Sequence, residues 1–301
     1  MKIRLAARGS ALSLVQVNAV ARMLAPFAET EITTYKTTGD RLSQLDAEIV
    51  GKGVFTKEID EALLDGRADL GVHSLKDLPS ELPDGLELSA VPLREDPSDV
   101  LISRPRVAFA ALPAGARVGT GSPRRRAQLL AARPDLSVSE ARGNVDTRIR
   151  RLSEGKWDAI VLARAGLARL GRLEEVCDVF SARVMLPAIG QGALALVART
   201  GDAATAAVLA RLDHADSHRE VLAERALLRR LEGGCRAPMA ARATASNGSL
   251  RLAAAVFSAD GAAYLREEDE SPTGQPEALG DAVAKRLLDR GAARLLEEAR
   301  R

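Results

Sequence analysis

The sequence predicts an α/β chain: two successive blocks of strands alternating with helices, then a smaller α+β domain. Three observations predict it. Short apolar runs alternate with amphipathic helical stretches through the first two-thirds. The last third changes to one long helix, alternating strand patterns and a terminal helix. A chain of 301 residues also exceeds what one ordinary core encloses.

In chain order, Ile3 to Ala6 reads as a strand, followed by a helix from about Ser10 with Leu12, Val15, Ala19 and Met23 on one face. Glu31 to Tyr35 reads as the next strand, Thr56 opens a helix through Leu64, and Asp69 to His73 is a short strand running into a proline-containing loop. The second block starts near Asp99, with strands at Val100 to Ser103, Arg117 to Gly119, Ser137 to Ala141 and Trp157 to Leu162. Its helices run from Pro123 to Ala132 and from Val145 to Leu152. The run Leu194 to Ala198 reads as a strand returning to the first block, so the chain crosses a hinge twice. Asp216 or Ser217 is placed to cap a long helix carrying Val221, Leu222, Leu227, Leu228 and Leu231. Strand patterns at 239–258 and 262–269 and a helix from about Pro276 complete the chain. The expected domains are 1–93 plus 193–212, 94–192, and 213–301.

Net charge is only +2 despite 43 basic residues, which counts against a nucleic-acid module, as does the shortage of aromatics to stack on bases. Two cysteines in a chain this long count against a disulfide framework and fit a reducing compartment. The N-terminus lacks a clean apolar run and no segment reaches the length of a membrane span, so the expected location is cytoplasmic, with no membrane partner.

Four stretches carry candidate chemistry. Cys235 lies in LEGGCRAP, where two glycines end a helix and Pro238 prevents its resumption, presenting a sulfur on a loop. GTGSPRRR (119–126) sits where a strand meets a helix; Ser122 suits the cap and Pro123 the first helical position. Free N–H groups there, with Arg124, Arg125 and Arg126, form an anion site; a solvated basic helix start is the alternative. In RGNVDTRIRR, Arg142 ends a strand and Arg148 is placed to share its pocket, while Arg150 and Arg151 point away. Arg8, just before the first helix, contributes in the same way. HSLKDLP places Lys76 and Asp77 after a strand; a carboxylate among cations stays ionised and accepts N–H donors, the alternative being a surface turn. His73 alone reads as structural. GKG at 51–53 is no phosphate loop, and His214 and His218 lack a third ligand, so no metal site is expected.

Nine stretches, kept in order, resemble the porphobilinogen deaminase (hydroxymethylbilane synthase) family: ARGSAL, GKGVFTKE, ADLGVHSLKDLP, REDPSD, GTGSPRRRAQL, ARGNVDTR, WDAIVLARAGLARLG, LPAIGQGA and LEGGCRAP. The resemblance implies two periplasmic-binding-protein-like α/β domains joined by hinges, with a third, α+β domain carrying the cysteine. It implies a dipyrromethane cofactor linked to Cys235 as a thioether. The implied reaction is the deamination and head-to-tail condensation of four porphobilinogen units, released by hydrolysis as a linear tetrapyrrole. Asp77 is the implied catalytic residue, stabilising the cationic azafulvene. Lys76, Asp77, Ser122, Arg124, Arg125, Arg142 and Arg148 are the implied cofactor contacts; Arg8, Ser10, Phe55, Arg169 and Gln191 the implied substrate contacts. The family is usually monomeric. This chain departs from the family pattern at Gly121 and Pro123, where Ser and Leu are frequent, and at Glu48 in the segment 42–50, where a basic residue is frequent. The rival reading is a non-catalytic anion-binding protein on the same scaffold.

Overall fold

The structure is a computed structural model that describes residues 1–44, 53–231 and 237–299, with the side chains of 42–44 undescribed. The strands are β1 (Lys2–Arg8), β2 (Glu29–Tyr35), β3 (Leu70–Ser74), β4 (Leu86–Ala90), β5 (Asp99–Ser103), β6 (Arg117–Gly119), β7 (Ser137–Ser139), β8 (Ala159–Ala163), β9 (Asp178–Val179), β10 (Leu194–Arg199), β11 (Met239–Ser246), β12 (Ser249–Phe257) and β13 (Tyr264–Pro272). The helices are α1 (Ala11–Leu24), α2 (Thr38–Gln44), α3 (Lys57–Leu64), α4 (Pro123–Ala132), α5 (Val145–Ser153), α6 (Arg164–Arg169), α7 (Ala203–Leu209), α8 (Ala215–Arg230), α9 (Pro276–Asp289) and α10 (Ala292–Glu298).

The described residues form two compact units, Met1–Glu95 with Gly192–His218, and Asp96–Gln191 with Arg219–Arg301. The first holds a five-stranded sheet in the order β2-β1-β3-β10-β4, in which β1 is parallel to β2 and β3 while β10 runs antiparallel to β3 and β4. The expected return of 194–198 is therefore present, as an antiparallel strand. The second unit repeats the pattern as β7-β6-β8-β5-β9, with β6 parallel to β7 and β8 and β5 antiparallel to β8 and β9. In both sheets the parallel strands are linked through helices, so their carboxyl ends emerge along one edge, where open α/β sheets place ligands.

Period-two packing explains why β5 and β8 read as unbroken apolar runs. Leu101 and Val161 face one core with Val118 and Leu129, whereas Val100, Ile102, Ile160 and Leu162 face another with Trp157. The C-terminal domain of the second unit is the antiparallel sheet β11-β12-β13, covered by α8, α9 and α10 around Leu227, Leu252, Val256, Val283 and Leu287. It also packs on α4: Ala127 shares a cluster with Ala240, Ala255 and Phe257.

Helix α8 begins at Ala215, so both expected caps, Asp216 and Ser217, lie inside its first turn. The Nδ1 of His214 accepts the Ser217 N–H at 3.2 Å, so an imidazole takes the capping role. The Ser217 hydroxyl lies 3.0 Å from the same Nδ1 and accepts the Arg94 N–H at 2.9 Å. His218 meets Asp213 at 2.8 Å.

Helix α9 reaches α8 through Gly280. A Cβ there would stand 2.3 Å from the Ala223 carbonyl oxygen and 2.7 Å from the Ala226 Cβ. In an open helix Gly→Ala gains about 1 kcal/mol. Here Gly280→Ala is expected to destabilise by about 1–3 kcal/mol through overpacking, seen as a lowered urea midpoint; an unchanged or raised midpoint contradicts this packing.

Candidate active site

In the first unit, β1 ends at Arg8 and the parallel β3 ends at Ser74. A single 3₁₀ turn, Leu75–Asp77, then carries Lys76 and Asp77 out of the sheet. Ser10 caps α1, its hydroxyl accepting the Ser13 N–H at 3.3 Å. The result is a small open cavity bordered by Arg8, Ser10, Phe55, His73, Ser74 and Asp77.

Arg8 is the centre of this cavity's electrostatics. Its Nη2 lies 2.5 Å from Asp40 and its Nε 3.2 Å from the same carboxylate. Its Nη1 is 3.8 Å from Asp77 Oδ2, beyond hydrogen-bond reach. The guanidinium also lies 4.2 Å from the centroid of the Phe55 ring. Phe55 can sit there because residue 39 is glycine: a Cβ would be 2.3 Å from two ring carbons. Burial raises the Asp40 carboxyl, but the Arg8 and Thr37 hydrogen bonds outweigh it and hold the group below its ordinary value. Asp77 keeps a third of its side chain exposed.

His73 lines the same cavity with its residue 5% exposed, and its Nε2 has no hydrogen-bond partner among the described residues. Burial, and then the charge of Arg8, push the imidazole down to about 4, so it is neutral near pH 7.

In the second unit, Ser122 caps α4, accepting the Arg125 N–H at 3.4 Å, and Pro123 takes the first helical position as the sequence predicts. Arg124 and Arg125 are buried against Asp99, a fully buried carboxylate at the start of β5. Arg124 Nη1 is 2.7 Å from Oδ2 and Arg125 Nη2 is 2.8 Å from Oδ1. Gln191 donates to Oδ1 at 2.9 Å, and Arg125 Nη1 donates to the Val161 carbonyl at 3.0 Å. Burial raises the Asp99 carboxyl, yet the two guanidinium charges overcome it and bring it to about 2. Asp99, in REDPSD, is a functional residue that the sequence motifs do not single out; the signal for it is that adjacent buried arginines require a counter-charge.

Arg148 lies half-buried on α5, its Nε donating to the Gly143 carbonyl at 2.8 Å. Among the described residues no carboxylate comes within ion-pair distance of it. Burial and the neighbouring charge of Arg125 push it down to about 10. Gly121 lets the 119–122 turn approach β7's exit, because a Cβ there would be 2.8 Å from the Ala141 carbonyl oxygen. Arg142 pairs with Glu140 at 2.7 Å, and Arg169 is the half-buried last residue of α6. Arg126 is exposed, as is Arg150, which pairs with Glu154 at 2.6 Å.

Cys235 and Glu48 lie outside the described residues. The flanks of the cysteine segment, Leu231 and Ala237, are both buried in the C-terminal core. Among the described residues no group of His, Cys, Asp and Glu is placed to hold a metal, and no helix is long and apolar enough to cross a membrane.

The family model described as "Porphobilinogen deaminase, dipyromethane cofactor binding domain" matches residues 3–207, and "Porphobilinogen deaminase, C-terminal domain" matches 218–289. The chain belongs to the porphobilinogen deaminase family. The porphobilinogen deaminase of Rubrobacter xylanophilus is 50% identical over 298 residues, 98% of this chain and 96% of that protein. That of Desulforudis audaxviator is 49% identical over 300 residues, 97% of this chain and 96% of that protein. Among solved structures, an ancestral cationic amino acid solute binding protein aligns with 70% of this chain and 88% of its own, at 15% identity and a TM-score of 0.45.

The donor set fits the porphobilinogen deaminase cofactor, a dipyrrole bearing several carboxylates. Arg124 and Arg125 share one carboxylate, which leaves a surplus buried positive charge, and Arg148 adds a further cation held, among the described residues, by a carbonyl alone.

His73 gives a pH signature. Its folded pKa of about 4 lies below the ordinary value of 6.5, so the unfolded chain binds the extra proton between them. Stability is therefore unaffected above that window and falls as pH drops through it, by about 3 kcal/mol in all. Asp60, raised to about 6 by burial, acts in the opposite sense over an overlapping range, so the comparison must be between variants. His73→Gln is expected to lose less stability than the parent between pH 7 and pH 4.5, by about 2 kcal/mol. Parallel stability–pH curves in denaturant titrations contradict the neutral burial of His73.

Proposed function

We propose that this chain is a hydroxymethylbilane synthase: it deaminates four porphobilinogen molecules in turn, joins them head to tail onto a cysteine-linked dipyrromethane, and releases the linear tetrapyrrole by hydrolysis. The observation that carries the reading is Asp77, partly exposed in a cavity beside Arg8 at the carboxyl end of β3, in a chain matched by the family models from residue 3 to 207 and 218 to 289.

The cofactor, when bound, supplies a nucleophilic pyrrole carbon. Cys235 anchors it by a thioether. Arg124, Arg125, Arg142, Arg148, Lys76 and Ser122 hold its carboxylates as hydrogen-bond donors. Arg8, Ser10 and Phe55 of the first unit, and Arg169 and Gln191 of the second, are the proposed substrate contacts. Loss of ammonia from porphobilinogen leaves positive charge on its pyrrole. Asp77 accepts the pyrrole N–H and stabilises that charge as it develops, an electrostatic role in a partly desolvated site. The same reading divides the chain into domains at 1–93 plus 193–212, 94–192 and 213–301, and takes the protein to be a cytoplasmic monomer without nucleic-acid or membrane partners.

Intact-mass measurement of the denatured protein is expected to find a two-pyrrole adduct confined to the Cys235 peptide. Asp77→Asn is expected to keep that adduct and the fold while losing about 100-fold or more in turnover. An unmodified thiol in active protein, or near-normal product formation by Asp77→Asn, overturns the reading.

A further inference from the structure

We propose that Asp40 is a positioning residue: it holds the Arg8 fork away from Asp77, and so keeps the Asp77 carboxylate open to substrate N–H groups. The inference rests on the catalytic role of Asp77 proposed above.

Arg8 and Asp77 emerge from neighbouring parallel strands onto the same edge of the sheet. A guanidinium and a carboxylate brought this close in a partly desolvated cavity attract each other, and their favoured arrangement is a two-pronged hydrogen-bonded pair. That pair is not formed. The closest approach is Nη1 to Oδ2, at 3.8 Å, and among the described residues Asp77 accepts no hydrogen bond.

Three contacts keep the pair apart. Asp40 occupies the other side of the fork, taking Nη2 at 2.5 Å and Nε at 3.2 Å. Asp40 is itself fixed by Thr37, through the backbone N–H at 3.2 Å and the hydroxyl at 2.7 Å. Phe55 lies against the guanidinium at 4.2 Å and is seated over Gly39, the residue adjoining Asp40. Only Nη1 is left directed toward the Asp77 side of the cavity.

The charges follow the same plan. Asp40 offsets Arg8, and His73, the other titratable group that lines the cavity among the described residues, is neutral near pH 7. Asp77 therefore keeps its negative charge unspent while Nη1 stays available to a substrate carboxylate. An arginine needed for anion binding and a carboxylate needed for a cation can then work side by side without quenching each other.

Asp40→Asn in the cofactor-loaded enzyme tests this. Its crystal structure is expected to show Arg8 Nη1 closing from 3.8 Å to about 3 Å from Asp77. kcat is expected to fall about tenfold with KM changed less than about threefold, about 1.4 kcal/mol in transition-state terms, and Asp40→Glu should recover most of the loss. In an Arg8→Gln background, adding Asp40→Asn is expected to cost nothing further, since no guanidinium remains to fall on Asp77. Thr37→Val, which removes one bond to Asp40, should show the same displacement and kcat loss in weaker form if the asparagine variant does not fold. Arg8 unmoved while kcat falls, Arg8 moved onto Asp77 while kcat holds, or losses that multiply in the double variant each overturn the inference. Absence of porphobilinogen turnover in the parent enzyme instead overturns the functional reading, whatever Arg8 does.

Discussion

One carboxylate holds the second α/β sheet and its arginines together. Asp99 begins β5 and binds Arg124 and Arg125 from the first turn of α4, while Gln191 binds the same oxygen as Arg125. Through the guanidiniums the cluster also fixes the carbonyls of Val161 on β8 and Leu186. Losing Asp99 would leave two buried guanidinium charges uncompensated, a change that costs about 3–5 kcal/mol even for a single orphaned charge. The cluster is also unbalanced by design, with two cations on one anion. Arg148, which further burial and Arg125 destabilise in its charged form, deepens the imbalance. A surplus of buried positive charge is a poor choice for stability and a good one for a polyanionic ligand.

The first unit solves the opposite problem. There, on the function proposed above, a cation and a carboxylate would serve different groups of one substrate at a separation where they would otherwise pair. Asp40 takes up Arg8, Phe55 supports it, and burial keeps His73 out of the charge balance. The contrast follows from chemistry: a tethered polycarboxylate needs excess cations, whereas a cation forming on a pyrrole needs an unencumbered anion.

Much of this was legible in the sequence because it follows local rules. Strand β6, the Ser122 cap, Pro123 and helix α4 were read in place, since a cap and an N1 proline act within one turn. The same rules misplaced the start of α8, where the imidazole of His214 does what serine or aspartate was expected to do. The short edge strand β4 and the helix α2 carry too few periodic residues to announce themselves. Asp99 and Asp40 escaped notice for another reason. Their partners lie 25 and 32 residues away, and only the folded sheet brings those charges together. Cys235, the most distinctive residue of the sequence, lies outside the described residues, and its place in the account rests on the motif it occupies.

On the proposed function, the surplus guanidinium charge of the second unit is matched by a covalently held polycarboxylate. The most direct measurement compares the unfolding free energy of the cofactor-loaded and cofactor-free chains, in the parent and in Arg148→Gln. The loaded parent should be the more stable form, and Arg148→Gln should shrink that gain by about 2 kcal/mol, the scale of a hydrogen bond between charged groups. An equal gain in parent and variant, or no gain from loading at all, would contradict it.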